Sequence, residues 1–150
     1  MLRTLSTPRF AGTISALAIS LAACFAAPAQ ADAISVFVDI SDQRMKVYDG
    51  NRLMGDWPVS TARPGKRTPL GTYSPQFLSR NHRSSLYNNA PMPFSIFFNG
   101  NYAIHGTDQI SRLGNPASAG CVRLHPDNAA KLFSWVQEAG MDATAITVRQ

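Results

Sequence analysis

The sequence contains only two cysteines in 150 residues, Cys24 and Cys121. Two cysteines cannot form the multiple disulfides that stabilise many small secreted domains. Charged residues make up only 15% of the chain, and no run of basic residues is longer than Lys66-Arg67, so a nucleic-acid-binding tail is absent. The histidines and acidic residues show no metal-ligand spacing. We therefore expect no nucleic-acid partner, no metal and no cofactor.

The composition that remains favours one compact domain. Hydrophobic residues make up 45% of the chain, and the formal net charge is +5. A basic protein of this kind suits work near an anionic polymer, but the charge alone does not identify that polymer.

The first 31 residues resemble a secretory signal. Arg3 and Arg9 precede a run of small apolar residues that is too short and too poor in large aliphatics for a membrane span. Ala29-Gln30-Ala31 has the small-x-small form of a cleavage site, which would start the mature domain at residue 32 and leave no transmembrane segment. Leu21–Cys24 also resembles a lipobox, in which case Cys24 would carry a lipid. Both interpretations predict export to the periplasm or cell envelope.

Export leaves Cys121 without a disulfide partner, because Cys24 is either removed with the signal or acylated. An unpaired cysteine in an oxidising compartment is a liability unless its thiol is needed or hidden. The sequence therefore raises a functional question about Cys121.

Alternating apolar residues predict a mainly β domain after residue 32. Asp49-Gly50 and Asn99-Gly100 supply two hairpin turns, whereas the segment from Leu78 to Pro93 loses periodicity and is predicted to be a long loop. The predicted strands are Ile34–Ile40, Arg44–Tyr48, Leu53–Ser60, Thr72–Phe77, Ser95–Phe98, Tyr102–His105 and Ala145–Val148.

One helix is predicted after Cys121. His125-Pro126-Asp127 is a typical helix start, and Gly140 stands where a C-terminal cap is expected. The apolar residues between them recur at helical spacing, so one face should pack on the sheet; they are Ala129, Leu132, Phe133 and Val136. Trp57 and Trp135 are best explained as core residues.

A cysteine nucleophile needs a base or cation, donors for an oxyanion and access to its substrate. His105 ends an apolar strand 16 residues before Cys121, and Gly120 would let the backbone approach a substrate. Arg123 shares a face with Cys121 if that segment is extended. Each residue also has a plainer interpretation, since isolated cysteines are most often simply buried and isolated histidines most often structural. The combination of these residues favours a catalytic role over a purely structural one.

These residues resemble the signature of a known family. "IHGT" followed by "SAGCVRL" is similar to the motif of the L,D-transpeptidases of the YkuD or ErfK/YbiS type, which act on bacterial cell walls. The resemblance extends over about residues 34–150. It implies a β-sandwich with one helix packed on the sheet after the catalytic cysteine.

The resemblance also implies roles for individual residues. Cys121 would be the nucleophile and His105 its base, with the Gly106 carbonyl orienting the imidazole. Gly120 would shape the turn and supply oxyanion donors together with Cys121. Ser118 would support the same turn, and Arg123 would support the site. Many family members have histidine where this chain has Ala119, which removes one accessory polar group.

The implied reaction is acyl transfer on peptidoglycan stem peptides. The thiolate would attack the carbonyl between a diamino acid and the terminal D-alanine, forming a thioester and releasing D-alanine. An amine of a second stem peptide would then give a 3-3 cross-link, and an amine of an envelope protein would give a covalent anchor. Water would make the enzyme an L,D-carboxypeptidase or endopeptidase. A non-catalytic peptidoglycan-binding module remains a further alternative, whereas a papain-like protease does not fit, because there the cysteine precedes the histidine.

The segment before the catalytic strands is predicted to border the substrate cleft. Its apolar candidates for stem-peptide contact are Tyr87, Met92 and Phe94, and its candidates for carboxylate contact are His82 and Arg83. For any one of them, a solvated loop position is the simpler interpretation.

Overall fold

A computed structural model describes residues 33–150. The predicted signal at residues 1–31, including Cys24, lies outside these residues. Within the described range no helix is both long enough and apolar enough to span a lipid bilayer.

Nine strands and one α-helix make up the described residues. The strands are β1 Ile34–Asp39, β2 Arg44–Asp49, β3 Arg52–Pro58, β4 Gly71–Tyr73, β5 Phe77–Arg83, β6 Pro91–Asn99, β7 Tyr102–Gly106, β8 Val122–Leu124 and β9 Thr144–Arg149. The α-helix, α1, spans Pro126–Ala139, and two single turns of 3-10 helix span Ile110–Arg112 and Met141–Ala143.

The strands form two sheets. The first has the order β3-β2-β1-β9-β4, in which β1 and β9 run parallel and the other neighbours run antiparallel. The second has the order β5-β6-β7-β8, in which only β7 and β8 are parallel. Parallel pairing aligns the ends of β7 and β8, so residues near those ends lie side by side.

The core is shared by both sheets and the helix. Ile34, Val36 and Val38 of β1 alternate with half-buried residues, as a strand with one buried face requires. The buried face of α1 consists of the four predicted residues, Ala129, Leu132, Phe133 and Val136. The mainly β class with one helix packed after Cys121 is therefore confirmed.

The helix termini also follow the sequence. The His125 side chain caps the start by accepting a hydrogen bond from the Asp127 N–H, and Pro126 occupies the first turn. Gly140 ends the helix with a φ of 98°. Trp57 stacks on Trp135 with ring centroids 5.8 Å apart, which joins β3 to the helix at the edge of the core.

The prediction of a long loop from Leu78 to Pro93 was wrong. Most of this segment belongs to β5 and β6, and only residues 84–90 lie between these strands. β5 is an edge strand with no fully buried side chain, so it shows no apolar alternation. In β6, two prolines and the positive φ of Phe94 interrupt the pattern. The predicted strand from Thr72 to Phe77 also divides, since β4 and β5 belong to different sheets.

Both hairpin turns lie one residue later than predicted. Asp49 and Asn99 are the last residues of their strands, so the turns are Gly50-Asn51 and Gly100-Asn101. Gly50 and Gly100 each have a φ of 54°, which explains the need for glycine.

Candidate active site

A cavity of about 600 Å³ opens beside the ends of β7 and β8. This volume lies within the usual range for small-molecule and peptide sites. Its lining includes Cys121, His105, Ser118, Arg123, Tyr87 and Met92.

The register of β7 and β8 brings the predicted catalytic residues together. His105 is paired with Arg123 across the two strands. Cys121 precedes Arg123 by two residues, and residues two apart on extended chain project to the same face. The side chains of Cys121, His105 and Arg123 therefore enter one cavity from two adjacent strands.

The residues before β8 form a tight turn that presents Cys121. Gly120 has a φ of 141°, and a Cβ at this position would lie 2.5 Å from the Tyr102 ring and 2.8 Å from the Arg67 carbonyl oxygen. Ser118 is fully buried, and its hydroxyl donates to the Cys121 carbonyl at 2.6 Å. Only glycine fits this backbone and this space.

A strap of residues 59–63 holds the same turn from the other side. The N–H of Ser118 donates to the Thr61 carbonyl at 2.8 Å, and the N–H of Arg63 donates to the Ser118 carbonyl at 2.9 Å. Ser60 exchanges two backbone hydrogen bonds with Arg123 and so covers the open edge of β8. The Thr68 hydroxyl adds a link by donating to the Gly120 carbonyl at 2.8 Å.

The proposed oxyanion donor at Gly120 needs correction. Its N–H donates to the Ser118 hydroxyl at 3.0 Å, so it is occupied within the turn. The N–H of Cys121 donates to no acceptor among residues 33–150. Of the two predicted amides, only the Cys121 amide remains a candidate for an oxyanion site.

The start of β7 surrounds the thiol of Cys121. The Sγ atom lies 3.7 Å from the Asn101 carbonyl oxygen, to which the thiol donates. Burial raises the pKa of the Cys121 thiol above its ordinary value of 9.0, although the Ala103 N–H and the Arg123 charge act in the opposite direction. The resting cysteine is therefore a neutral thiol at pH 7.

His105 is buried, with 6% of its surface exposed. Its Nδ1 lies 2.7 Å from the Gly106 carbonyl oxygen. A carbonyl only accepts, so Nδ1 carries the proton and Nε2 is the unprotonated nitrogen. Burial is the main cause that lowers the pKa of His105 to about 4; the Gly106 hydrogen bond opposes it, and the charges of Arg123 and His82 add to it. At neutral pH the imidazole is a neutral base.

Gly106 is also fixed by packing. A Cβ there would lie 3.0 Å from the Pro93 side chain and 3.1 Å from the Pro126 backbone. A larger residue would displace the carbonyl that orients His105. The Gly106 carbonyl thus lies where it can orient the imidazole, which is the role that the family resemblance implies.

Three residues predicted for the cleft do not line the cavity. Phe94 has a φ of 55° and packs its ring against Phe133 of α1, with centroids 5.9 Å apart. The His82 ring packs edge-on against the Phe97 ring at 4.9 Å. Arg83 donates to the Asn89 carbonyl at 3.0 Å. Tyr87 and Met92 line the cavity as expected.

Sequence reasoning missed Arg63 and Asn101, which both line the cavity. Arg63 comes directly after the buried strap residues, and Asn101 lies in the turn before β7. A charged residue at the end of a buried segment is the signal that would have indicated Arg63. Within residues 33–150 no group of three or more histidine, cysteine, aspartate or glutamate side chains forms a metal site.

The described residues form a mainly β domain with a buried neutral histidine and a free cysteine in one cavity. This combination is typical of enzymes that transfer acyl groups through a cysteine. Residues 33–148 match the family model of the YkuD L,D-transpeptidase catalytic domain, and the chain belongs to this family.

Comparison with individual proteins agrees with the family. A Bacillus licheniformis protein named as L,D-transpeptidase YkuD is 27% identical over 105 residues, covering 67% of this chain and 59% of the relative. An L,D-transpeptidase from Stackebrandtia nassauensis is 23% identical with a TM-score of 0.68, covering 87% of this chain and 60% of that structure. L,D-transpeptidase 3 from Mycobacterium tuberculosis, in complex with a faropenem-derived adduct, is 18% identical with a TM-score of 0.68, covering 79% and 60%. The chain spans about three fifths of the length of these proteins.

Proposed function

We propose that this protein is a cysteine-dependent L,D-transpeptidase acting on peptidoglycan stem peptides. The observation that supports the proposal most directly is that a free thiol, Cys121, and a neutral histidine base, His105, line the same cavity. The family supplies the substrate class, and the site supplies the groups that such a reaction needs.

Acylation begins with a neutral thiol and a neutral imidazole. The Sγ of Cys121 attacks the carbonyl carbon between the diamino acid and the terminal D-alanine while its proton passes to Nε2 of His105. The Cys121 N–H faces the developing oxyanion. The tetrahedral intermediate then breaks its carbon–nitrogen bond, His105 returns the proton to the leaving amine, and D-alanine departs. A thioester on Cys121 remains.

Deacylation uses the same groups in reverse. An incoming amine loses a proton to His105 Nε2 and attacks the thioester carbon, and the Cys121 thiolate leaves and regains that proton. With a second stem peptide as the amine the product is a 3-3 cross-link, and with an envelope protein it is a covalent anchor. Water as the acceptor would give a carboxypeptidase or endopeptidase.

We propose that the protein works in the periplasm or cell envelope, where such a substrate is found. The family acts on peptidoglycan, and the first 31 residues of the sequence resemble an export signal. We also propose that penem-type β-lactams acylate Cys121, because the structurally similar mycobacterial enzyme carries a faropenem-derived adduct.

The test is turnover of a purified disaccharide-tetrapeptide, with products separated by chromatography and identified by mass. Release of D-alanine together with a 3-3 linked dimer supports the transpeptidase, whereas D-alanine with free tripeptide indicates water as the acceptor. Cys121→Ala and His105→Gln should lose turnover while unfolding cooperatively. Unchanged turnover in either variant would contradict the proposed mechanism.

A further inference from the structure

Arginine side chains surround one side of the active-site cavity. Arg63 of the strap and Arg123 of β8 line it, and Arg112 ends the nearby 3-10 helix. Within residues 33–150 none of these three arginines forms a salt bridge, whereas Arg44, Arg52 and Arg149 all do. The lining contains a single acid, Asp108, which is exposed. This side of the cavity therefore carries more cations than carboxylates, although the charge of Asp108 acts on Arg123.

Arg123 is half-buried and has unused hydrogen-bonding capacity. Its guanidinium has five N–H donors, of which Nη1 donates to the Gln109 side-chain oxygen at 3.1 Å. No buried side-chain nitrogen or oxygen among residues 33–150 lacks a hydrogen-bond partner. The remaining N–H donors of Arg123 are therefore accessible from the cavity that Arg123 lines.

Arg63 is fixed close to the nucleophile by its backbone. Its N–H donates to the carbonyl of Ser118, the residue whose hydroxyl holds the Cys121 turn. Its side chain is exposed and free of ion pairs in the described part of the chain. Burial is the main cause that lowers the pKa of Arg123, and the charges of Arg63 and Arg112 also lower it, whereas Cys121 and Asp108 act in the opposite direction. Arg63 and Arg112 are therefore near enough to repel the Arg123 guanidinium. A bound anion would relieve that repulsion.

We propose that Arg63 and Arg123 form a carboxylate subsite that selects an anionic acyl donor. This proposal rests on the proposed function, because it concerns the donor that acylates Cys121. Planar guanidinium groups match carboxylates through paired hydrogen bonds, and a partly desolvated site strengthens them. The carboxylate belongs either to the leaving residue or to the acyl half of the donor. It does not meet His82 or Arg83, which lie outside the cavity lining.

The experiment measures kcat/KM for thioester formation with three synthetic stem peptides. One has all carboxylates free, one has the C-terminal carboxylate as carboxamide, and one has the diamino-acid side-chain carboxylate as carboxamide. In the wild type, amidation of the recognised carboxylate should lower kcat/KM by about 10-fold to 100-fold, the usual cost of losing a charged hydrogen bond. The amide that causes the loss identifies which half of the donor is bound.

Arg63→Gln should lower kcat/KM for the free-acid donor by a similar factor and leave kcat/KM for the amidated donor nearly unchanged. The preference, which is the ratio of these two kcat/KM values, should therefore fall toward about 1. Arg63→Lys should restore part of the preference, since the charge returns without the planar geometry. Arg52→Gln is the matched control, because Arg52 pairs with Asp49 away from the cavity lining. Arg52→Gln should keep the wild-type kcat/KM with each of the three donors.

The two proposals fail in different ways. Equal acylation by all three donors, or a preference that survives in Arg63→Gln, would overturn the carboxylate subsite and leave the transpeptidase intact. Absence of a thioester with every donor, on folded protein with a free thiol, would overturn both.

Discussion

Gly120 shows at the scale of a single residue how the proposed nucleophile, Cys121, is positioned. The Tyr102 ring and the Arg67 carbonyl occupy the space where a side chain would lie, and the φ of 141° is unfavourable for any residue with a Cβ. Cys121 follows directly, so its position depends on this close approach.

Gly120→Ala should therefore damage both stability and activity. We expect a loss of about 1–3 kcal/mol in the free energy of unfolding from the strained backbone, and a larger loss in the rate of thioester formation. Gly114→Ala is the control, since Gly114 has a φ of 87° but no atom within 4 Å of the place where its Cβ would lie. Urea unfolding should show backbone strain in both variants, because both glycines have a positive φ, whereas the acylation rate should fall only in Gly120→Ala. Equal acylation rates would show that the close contact is unimportant.

The buried imidazole makes stability depend on pH. His105 binds a proton near pH 6.5 in the unfolded chain but only near pH 4 in the folded protein. Between these values the unfolded state holds more protons, so the free energy of unfolding falls as the pH falls from 6.5 to 4, by up to about 3 kcal/mol. Urea unfolding of the wild type and His105→Gln across this range should show the difference. Parallel pH profiles would contradict a buried neutral His105.

Cysteine reactivity gives a separate test of the resting state. Because burial raises the Cys121 pKa above 9.0, alkylation by neutral iodoacetamide should be slow at pH 7 and should rise steadily as the pH passes 9. A rate that is already constant between pH 5 and 8 would instead indicate a thiolate–imidazolium pair. Alkylation can be followed by intact mass, with Cys121→Ala as the unreactive control.

The meeting of Cys121 and His105 in one cavity could be predicted from sequence, because their residue types and spacing match one family motif. Ser118 was predicted as support, but that its hydroxyl occupies the Gly120 N–H could not be predicted, since it depends on a turn geometry that the residue types do not specify. Arg63 was missed because residues 59–63 approach the cysteine turn only through tertiary contacts.

At the scale of elements, the strap and the cysteine turn act as one hydrogen-bonded unit. The Thr68 hydroxyl accepts from the Ala62 N–H at 3.0 Å and donates to the Gly120 carbonyl at 2.8 Å. The Ala62 N–H belongs to the strap, and the Gly120 carbonyl belongs to the cysteine turn. The Thr68 side chain therefore bridges the two segments, in addition to their backbone hydrogen bonds.

Thr68→Val keeps the shape of the side chain and removes both hydrogen bonds. We expect a loss of about 1–3 kcal/mol, because two backbone groups lose a partner beside a residue with 3% exposure, and a lower acylation rate. Thr72→Val, which loses an exposed hydroxyl contact to Thr147, should change neither. Identical stability and rates in the two variants would refute the connection.

Sequence patterns predicted the elements with one buried face better than the rest. β1, β2 and α1 bury regular sets of apolar residues, and they lie where expected. β5 does not bury such a set, because it is an edge strand with both faces partly exposed. Its apolar and polar residues therefore do not alternate, and no strand was predicted for most of it. The strand pairing of β7 with β8, which joins His105 to Arg123, is a tertiary contact that local patterns do not encode.

At the scale of the whole molecule, one apolar core connects both sheets and α1. Leu132 is fully buried in this core, on the helix that follows β8. The cavity itself lies at the surface end of β7 and β8. Stability and chemistry should therefore be separable by mutation.

Leu132→Ala should lower the free energy of unfolding by about 2–5 kcal/mol through the cavity that it leaves. Leu53→Ala, at a position with 51% exposure, should cost far less. Below its unfolding temperature the Leu132 variant should still form the thioester. Loss of acylation in folded Leu132→Ala would show that the core controls the site more directly than proposed.

The central claim is that Cys121 is the acylated nucleophile, and intact-protein mass spectrometry tests it most directly. Wild type and Cys121→Ala would each be mixed with a disaccharide-tetrapeptide and, separately, with a carbapenem. We predict a covalent adduct on the wild type alone, with the stem-peptide adduct lighter than the full donor by one D-alanine. An adduct on Cys121→Ala, or none on folded wild type with a free thiol, would contradict the claim.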